Sequence, residues 1–496
     1  SATSRGARRA TGPLVHKFGG TSVADAARLR ALAGLVARTA EGDGGRASVV
    51  VVSALAGVTD LLDDVADGRR PAAEALEALR ARHAAVADDL GVEGGEREAL
   101  DARLEAALAP LVEAAAAPGP PAPLGPATAD RIRAVGEDLA VPLVVRALVD
   151  AGLDARPVDA RAVIRTDGRH GRAAPVVPAL EPLAARHLAP VLDAGAVAVM
   201  QGFVGATELG ATTTLGRGGS DYTAALLGGA LDAAEVLIWT DVDGMLSGDP
   251  AAVRSARLVP ELGFEEAVEL SYFGARVLHP KAAKHAAATG VPLTIRNSFD
   301  PDAPGTLVRQ DRRGTGTFAA VAFKPDVVLM KVRAFPSAMA YGFLARVFEV
   351  LGRHRVPVDL VATSHSSTAF TVDVDEELGA VRDELSAFAE VEVVDGLATV
   401  TVVGQGMLRE PGMDALVFWA VGRTPVHLIS QASDVSMSFV VAEDDAPDLV
   451  RRLHLSLIEL REARDALPDD PTRPDADARP QPVTAGGAAA PDEEGP

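Results

Sequence analysis

Two glycine-rich turns with cationic residues beside them are the segments of this sequence best suited to chemistry. Lys17 ends an apolar run and precedes Phe18-Gly19-Gly20-Thr21-Ser22. Further along, Gly216-Arg217-Gly218-Gly219 leads into Ser220-Asp221. Glycine lets the backbone approach a ligand closely, and N–H groups at a helix start attract anions. Together the turns indicate a site for phosphate or carboxylate groups, although either one alone is also typical of a tight turn before a capped helix.

The acidic residue of the second turn narrows this chemistry. Asp221 would repel a phosphate unless a cation lies between them, and Lys17 and Arg217 are the candidates. A carboxylate near a cation also recognises an α-amino group. The first turn is not the Walker pattern G-x-x-x-x-G-K-[ST], so the sequence predicts a different phosphate cradle.

These turns must be positioned by a parallel sheet. A strand is predicted at Leu14–Phe18, a helix at 26–40 and a buried valine-rich strand at 47–52. This order is a βαβ unit, and similar alternation over roughly 300 residues predicts a large α/β domain. Residues 61–117 are expected to form helices that end at the Pro/Gly-rich loop 117–126.

The order of predicted strands and helices changes after Phe323. Two βαββαβ patterns follow, and the segments 356–361 and 424–429 match at an offset of 68 residues. Such a repeat predicts two ferredoxin-like modules behind the α/β body. The strand at 318–323 is expected to pair with the second module. A catalytic domain followed by a sensor is the organisation that this order favours.

Composition excludes several classes of protein. The chain has 496 residues and a net charge of −21, which argues against nucleic-acid binding. It has no cysteine, which excludes disulfides and thiolate metal sites. No run approaches the roughly 20 apolar residues of a membrane span. The basic N-terminus lacks the apolar region of a signal peptide, so a cytoplasmic protein without membrane contact is expected. The acidic, proline-rich segment 464–496 is predicted to be a disordered tail.

Five segments carry a resemblance to a known family. They are KFGGTSVAD (17–25), SALAGVT (53–59), TTTLGRGGSDYTAAL (212–226), WTDVDG (239–244) and ELSYFGARVLHP (269–280). In this order they resemble aspartate kinases of the amino-acid-kinase superfamily, and the C-terminal repeat resembles that family's ACT modules. The resemblance implies an α/β fold: a parallel-sheet sandwich over 13–316, followed by ACT domains at 317–397 and 398–463.

The resemblance implies phosphorylation of the L-aspartate side chain by ATP with Mg²⁺. The product would be 4-phospho-L-aspartate, at the first step of lysine, threonine and methionine biosynthesis. A carboxylate is already ionised at neutral pH, so the site needs positioning and charge neutralisation but no general base. The expected partners are these small molecules, an amino-acid effector and a second copy of the chain bound through the ACT domains.

The family's roles carry over to matching positions. Catalytic roles fall to Lys17 and Asp221. Substrate binding falls to Thr59, Glu137, Phe203, Arg217 and Ser220, with Arg217 on a carboxylate and either Glu137 or Asp221 on the ammonium. Nucleotide binding falls to Lys17, Gly19, Gly20, Ser22, Thr240, Asp241, Gly244 and Arg276. No protein metal site is predicted, because His16, His279 and His285 lack partners at ligand spacing, and Mg²⁺ would arrive with the nucleotide.

Three positions depart from the family pattern in the nucleotide region. The family commonly has a tyrosine at the position of Leu246, an arginine at that of Ala251 and often a lysine at that of Arg276. The first two changes remove a polar aromatic contact and a charge. Weaker ATP binding than is usual for the family is therefore predicted, which titration calorimetry would measure.

The effector site is expected on the first ACT module. The candidates are Gly342, Phe343, Leu344, Asp359 and Ser364, with Asp359 on an effector ammonium. Lysine-sensitive relatives usually carry a glutamate where this chain has His365, which leaves lysine and threonine both open. Two other functions also remain open at this point: a non-catalytic amino-acid sensor on a kinase scaffold, and a related carboxylate kinase without a tandem repeat.

Overall fold

An eight-stranded mixed sheet organises the first part of the molecule. The computed structural model describes residues 12–42, 45–117, 119–274, 277–310, 312, 318–335, 342–374, 378–407, 412–431 and 433–460. The predicted tail at 464–496 lies outside these residues. The strands are β1 Leu14–Phe18, β2 Ser48–Val52, β3 Ala155–Pro157, β4 Val197–Gln201, β7 Glu235–Thr240, β8 Glu261–Gly263, β9 Leu293–Asn297 and β10 Thr306–Arg309. Their order in the sheet is β3-β4-β2-β1-β7-β9-β10-β8.

The sheet is parallel except for one pair. Strands β9 and β10 pair antiparallel, because the connection through residues 298–305 is too short for a crossover. The expected α/β fold is confirmed, with this hairpin as the departure from a purely parallel sheet. A separate two-stranded ribbon consists of β5 Val204–Ala206 and β6 Thr212–Thr214.

Helices cover both faces of the sheet. They are α1 Ala26–Gly42, α2 Val58–Ala66, α3 Ala72–Asp89, α4 Gly94–Ala115, α5 Pro126–Asp150, α6 Ala160–Val163, α7 Val177–His187, α8 Ala189–Asp193, α9 Gly219–Ala230, α10 Phe264–Phe273 and α11 Pro280–Thr289. Val49 and Val51 of β2 face the core under α7, α9 and α11. Val50 and Val52 face the core under α1 to α5. Burial on both sides explains the unbroken valine run, which gives no polar face to solvent.

The carboxyl ends of the central strands meet at one edge. Phe18 at the end of β1 lies opposite Val52 of β2 and Trp239 of β7. The residues that follow these strands, including the turn at Gly19, therefore gather there. In parallel α/β sheets this edge is where ligands bind. A short 3-10 turn, Gly20–Val23, separates β1 from α1.

A six-stranded antiparallel sheet organises the second part. Its elements are β11 Phe318–Ala334, α12 Phe343–His354, β12 Val361–Thr363, β13 Ser367–Asp373, α13 Leu378–Ser386, β14 Ala389–Gly404, α14 Met413–Val421, β15 Leu428–Ser430, β16 Ser436–Ala442 and α15 Ala446–His454. The order of the strands in the sheet is β12-β13-β11-β14-β16-β15.

Two long strands run through both halves of this sheet. Strand β14 pairs with β11 from Phe318 to Ala334, and residues 318–324 lie opposite its end. The later part of β11 also pairs with β13 on its other side. One core lies under α12 and α13, with Val347 and Phe370. Another lies under α14 and α15, with Val417 and Phe439. Since β14 is continuous from 389 to 404, the sequence position 397/398, predicted as a domain boundary, falls inside a strand.

The two parts of the molecule share a core. Val327 and Leu329 of β11 belong to the same buried cluster as Val15 and Leu226 of the first sheet and its helices. The backbone N–H of Val321 donates to the carbonyl of Ser247 over 2.9 Å. Among the described residues no helix is both long and apolar enough to cross a membrane.

Candidate active site

A cleft of about 1800 Å³ opens at the carboxyl edge of the first sheet. All the residues predicted to be catalytic or substrate-binding line it: Lys17, Thr59, Glu137, Phe203, Arg217, Ser220 and Asp221. They come from five separate stretches of sequence, which the sheet edge, the starts of α2 and α9 and the middle of α5 bring together. The cleft holds both signs of charge, as a zwitterionic amino acid would require.

An ion pair joins the two predicted catalytic residues. The Lys17 ammonium lies 2.7 Å from Asp221 Oδ1, and their side chains are 13% and 12% exposed. Lys17 comes from β1 and Asp221 from the first turn of α9. The other Asp221 oxygen accepts a hydrogen bond from the backbone N–H of His279 over 3.3 Å. Partial burial strengthens this pair relative to a surface pair and fixes the Lys17 ammonium in the cleft.

Glu137 is a buried acid with only one oxygen satisfied. Its residue is 3% exposed, and Oε1 accepts a hydrogen bond from the Ala54 N–H over 3.1 Å. Oε2 is buried and has no hydrogen-bond partner. Burial raises the pKa of Glu137 to about 8, although the Ala54 N–H opposes the shift. An unsatisfied buried carboxyl beside a cleft is a strong candidate partner for a ligand ammonium.

The second glycine turn needs glycine for steric reasons. Gly218 has φ +68°, and a Cβ there would lie 2.1 Å from the His279 ring. Arg217 is exposed at the mouth of the cleft. Phe203 lines the same cleft with φ +67°, an uncommon conformation for a bulky residue. Its N–H donates to Thr223 Oγ1 over 3.1 Å, which helps to hold that conformation.

Among the described residues, the predicted nucleotide positions lie at or just after the ends of β1 and β7. Gly19 N–H donates to the Trp239 carbonyl over 3.3 Å. Ser22 Oγ lies 2.8 Å from Ser298 Oγ, and Ser298 Oγ donates to the Thr240 carbonyl over 3.0 Å. These contacts bring the first turn next to Thr240.

Further along that strand end, Thr240 Oγ1 donates to Asp241 Oδ1 over 3.2 Å. Gly20 lies so close to the next strand that a Cβ would be 2.9 Å from the Ala54 carbonyl. A Cβ on Gly244 would lie 2.5 Å from Thr306 Oγ1. Arg276 lies outside the described residues. The departures Leu246 and Ala251 are in the segment after β7, where Leu246 bridges to Leu258.

The sequence did not single out His170 of this cleft or Asp130 behind it. His170 lines the cleft, and the buried Asp130 holds the His170 ring. The signal in the sequence was the loop Gly168-Arg169-His170-Gly171-Arg172, in which three cationic or ionisable side chains stand among glycines. His279, expected from the sequence to be a core or surface histidine, is partly exposed, and its backbone N–H donates to Asp221 Oδ2.

The predicted effector residues fall into three places. Gly342 precedes α12, which begins at Phe343 and includes Leu344; residues 336–341 of that loop are outside the described part. Ser364 Oγ lies 2.6 Å from Ser367 Oγ. Asp359 already has partners in its own chain: Lys324 Nζ lies 2.6 Å from Oδ2, and the Tyr272 hydroxyl donates to Oδ1.

Comparison with known proteins decides the family. The model of the amino acid kinase family matches residues 12–297, and an ACT domain model matches 400–457. Lysine-sensitive aspartokinase 3 of Escherichia coli is 38% identical over 457 residues, which cover 90% of this chain and 99% of the relative. The chain belongs to the aspartokinase family. Aspartokinase 1, chloroplastic, of Arabidopsis thaliana is 32% identical over 90% of this chain and 80% of the relative.

Solved aspartokinase structures share the fold. The crystal structure of E. coli aspartokinase III in complex with aspartate and ADP, named the R-state, aligns with a TM-score of 0.80 over 90% of this chain and 99% of that one. The complex of the same protein with lysine and aspartate, named the T-state, aligns with a TM-score of 0.72 over the same shares. The arrangement of this chain is therefore nearer to that of the aspartate and ADP complex.

Proposed function

We propose that the chain transfers the γ-phosphoryl group of ATP to the side-chain carboxylate of L-aspartate in the cleft around Lys17 and Asp221. Membership of the aspartokinase family makes the chain an aspartate kinase. The observation that carries the site assignment is the meeting of Lys17, Glu137, Arg217 and Asp221 in one cleft beside the first glycine turn. No histidine or cysteine is needed there, because the attacking carboxylate is already ionised.

The chemistry is one displacement at phosphorus. A side-chain oxygen of aspartate bonds to the γ-phosphorus, the bond from that phosphorus to the β–γ bridging oxygen breaks, and ADP leaves with the electron pair. No proton moves. Lys17 then neutralises charge on the phosphoryl oxygens, and Asp221 holds the Lys17 ammonium in place at 2.7 Å. Gly19, Gly20 and Ser22 provide donors beside it.

The two ends of the substrate would be held by opposite charges. Glu137 is the better partner for the ammonium, since Asp221 is already paired with Lys17 while Glu137 Oε2 has no partner. Arg217 suits a carboxylate because its guanidinium can donate two parallel hydrogen bonds. Thr59, Phe203 and Ser220 also line the cleft. This assignment chooses between the two acids that the sequence left open.

The nucleotide would lie over the ends of β1 and β7, against Thr240, Asp241 and Gly244, with Arg276 as the predicted phosphate contact. No group of three or more histidines or acids within the described ranges is arranged to bind a metal ion. Mg²⁺, held by the nucleotide phosphates and water, would supply charge neutralisation there. The carboxylates of Asp241 and Asp243 follow β7, and Asp243 Oδ1 accepts a hydrogen bond from Asn297 Nδ2 over 2.7 Å.

The ACT region would sense an amino acid and join two copies of the chain. The family supports this proposal, and the E. coli relative is named for its sensitivity to lysine. The assay of ADP release described below, with lysine or threonine added, distinguishes the two candidate effectors. A homodimer through the ACT sheet and a cytoplasmic location remain proposals of the same kind.

A coupled assay of ADP release tests the function. Turnover with L-aspartate and little with L-glutamate is expected, followed by inhibition on adding lysine or threonine. Lys17→Ala should keep the fold and lose most turnover, by a factor of roughly 100 or more, because one preorganised charge on the transferring group is removed. Lys331→Ala, an exposed lysine of β11, is the matched control. No turnover with aspartate would favour the non-catalytic sensor; near-normal turnover of Lys17→Ala would contradict the assigned phosphate cradle.

A further inference from the structure

The loop 168–172 forms a wall of the cleft and is anchored from behind by one buried acid. Asp130 of α5 has a side chain that is 0% exposed. Its Oδ1 accepts from Thr214 Oγ1 over 2.6 Å and from Gly171 N–H over 3.0 Å. Its Oδ2 lies 2.8 Å from His170 Nδ1. Several hydrogen-bond donors satisfy a buried carboxylate, so Asp130 can hold the loop while remaining inside the protein.

This anchor fixes which nitrogen of His170 is available to a ligand. An ionised carboxylate only accepts hydrogen bonds, so the 2.8 Å contact requires a proton on Nδ1. The ring's other nitrogen, Nε2, lies on the opposite side of the imidazole. Because His170 lines the cleft and its side chain is 18% exposed, Nε2 is the nitrogen that can meet a bound molecule.

The His170 loop and the Arg217 turn are parts of one wall. A Cβ on Gly216, the residue before Arg217, would lie 3.2 Å from the Gly171 carbonyl and 3.5 Å from Arg172 Cγ. The two loops therefore touch where the cationic side chains enter the cleft. With Lys17 at the phosphoryl end and Glu137 facing an ammonium, this wall is left for the second carboxylate of an acidic amino acid.

We propose that His170 is a substrate-binding residue, held by Asp130, whose Nε2–H donates to the α-carboxylate of L-aspartate alongside Arg217. The inference rests on the proposed function and deepens it, since it assigns the recognition of one substrate group. Binding of this kind distinguishes an amino acid with a free α-carboxylate from one in which that group is neutral. The proposed contact requires a proton on each ring nitrogen, because Nδ1–H donates to Asp130 while Nε2–H donates to the substrate.

Two substitutions separate binding from anchoring. Asparagine places its side-chain amide where His170 Nδ1 lies, so His170→Asn keeps a donor for Asp130 and removes the group that reaches the cleft. Glutamine places its amide near the Nε2 position, so His170→Gln keeps a cleft donor and loses the anchor. His187→Asn, at the end of α7 and outside the cleft lining, is the control for the loss of an imidazole.

The experiment measures kcat and KM for L-aspartate and for its α-amide, L-isoasparagine, which keeps the reacting side-chain carboxylate. His170→Asn should lower kcat/KM for aspartate by roughly 10- to 100-fold, mainly through KM, because a hydrogen bond to a charged group is lost. Its kcat/KM for the α-amide should change less than about twofold, and His170→Gln should recover part of the preference for aspartate. His187→Asn should match the wild type.

Equal losses for both substrates in His170→Asn would overturn the proposal, because they would place the effect on folding or chemistry. An unchanged preference for aspartate would overturn it as well and leave His170 as an anchor for its loop only. Wild-type turnover of aspartate is measured first and tests the proposed function separately. The preference between the two substrates tests His170 alone.

Discussion

At the scale of single residues, the site depends on charges that are left incomplete inside the protein. The Lys17 ammonium neutralises the Asp221 carboxylate at 2.7 Å, whereas one buried oxygen of Glu137 has neither a hydrogen bond nor an ion pair among the described residues. An acid in this position stays largely protonated near neutral pH because burial raises its pKa to about 8. Binding of an ammonium beside Oε2 favours the ionised form, so substrate binding and proton release are linked.

Glu137→Gln should therefore change the pH dependence of aspartate binding. In the wild type, KM for aspartate is expected to fall as the pH rises toward about 8, where Glu137 ionises in the free protein. The glutamine variant should have a higher KM with little dependence on pH over this range, because the titrating group is absent. Steady-state kinetics between roughly pH 6 and 9 would measure this. An equally steep profile in the variant would assign the ammonium to another group.

The same substitution has an effect on stability with a defined sign. Between pH 4.5, the ordinary pKa of a glutamate, and about pH 8, the folded state keeps the Glu137 proton that the unfolded chain has released. The contribution of Glu137 to the free energy of unfolding therefore falls as the pH rises through this window. Denaturant unfolding at several pH values should show a wild-type minus Glu137→Gln difference that becomes more negative with pH. A difference independent of pH would contradict the raised pKa.

At the scale of elements, helix α10 and the regulatory sheet are joined by a small polar cluster. Asp359 is 4% exposed and accepts from the Tyr272 hydroxyl at the end of α10. Lys324 of β11 bridges Asp359 and Asp373, with Nζ–O distances of 2.6 and 2.5 Å. An effector ammonium at Asp359, as the sequence predicts, would have to displace the Lys324 ammonium. Effector binding there would therefore disturb a contact with the kinase part.

Lys324→Met should weaken this junction. The substitution leaves Asp359 buried without its cation, so a loss of about 2 to 4 kcal/mol in the free energy of unfolding is expected. Tyr272→Phe removes one hydrogen bond to the same carboxylate and should cost about 1.5 to 3 kcal/mol. Lys331 also lies on β11, and Lys331→Met breaks its exposed pair with Glu392 of β14. This control should cost less than about 1 kcal/mol. Chemical denaturation would measure all three.

Equal losses for Lys324→Met and Lys331→Met would show that burial of the pair does not matter. Hydrogen exchange offers a second readout, since faster exchange near the end of α10 and at β12 is expected only when the Tyr272–Asp359–Lys324 cluster is broken.

Much of the element pattern follows from the sequence because its signals are local. The valine run of β2 and the glycine turn after Lys17 predict a parallel sheet edge, and the structure has both. The antiparallel placement of β10 and the length of β14 depend on pairing with distant strands, which no local pattern encodes. Likewise, the bond between His170 and Asp130 joins residues 40 apart in sequence. The position of Asp130 beside His170 depends on packing of α5 against β6. No spacing in the sequence therefore predicts this pair.

At the scale of the whole molecule, the kinase and regulatory parts are built on a common core. Val327 and Leu329 of β11 lie in the cluster that also contains Leu226, Leu270 and Ile295. The backbone bond from Val321 to Ser247 and the 2.9 Å contact of Ser247 Oγ with His454 Nε2 add polar links. Because of this apolar contact, the residues of the shared cluster are shielded from water only when both parts are present.

The chain should therefore unfold in one cooperative transition, although chains of this length often show several. Separation of the two parts would expose the shared apolar residues to water, at roughly 25 cal/mol per Å² of apolar surface. Differential scanning calorimetry should give a single peak. The fluorescence of Trp239 in the kinase part and that of Trp419 in the regulatory part should change at the same temperature. Two resolved peaks, or different midpoints for Trp239→Phe and Trp419→Phe variants, would contradict a shared core.

The continuity of β11 and β14 determines which pieces of this protein could be exchanged with those of a relative. A crossover placed between the two sensor sequences near residue 397 would cut β14 in its middle and separate residues that pair with β11. A recombinant would then need matching register on both sides of the cut, because a shift of one residue reverses every side chain of the strand. The natural cassette for engineering new effector responses is consequently the whole stretch from Phe318 to the end of α15, transplanted as one piece.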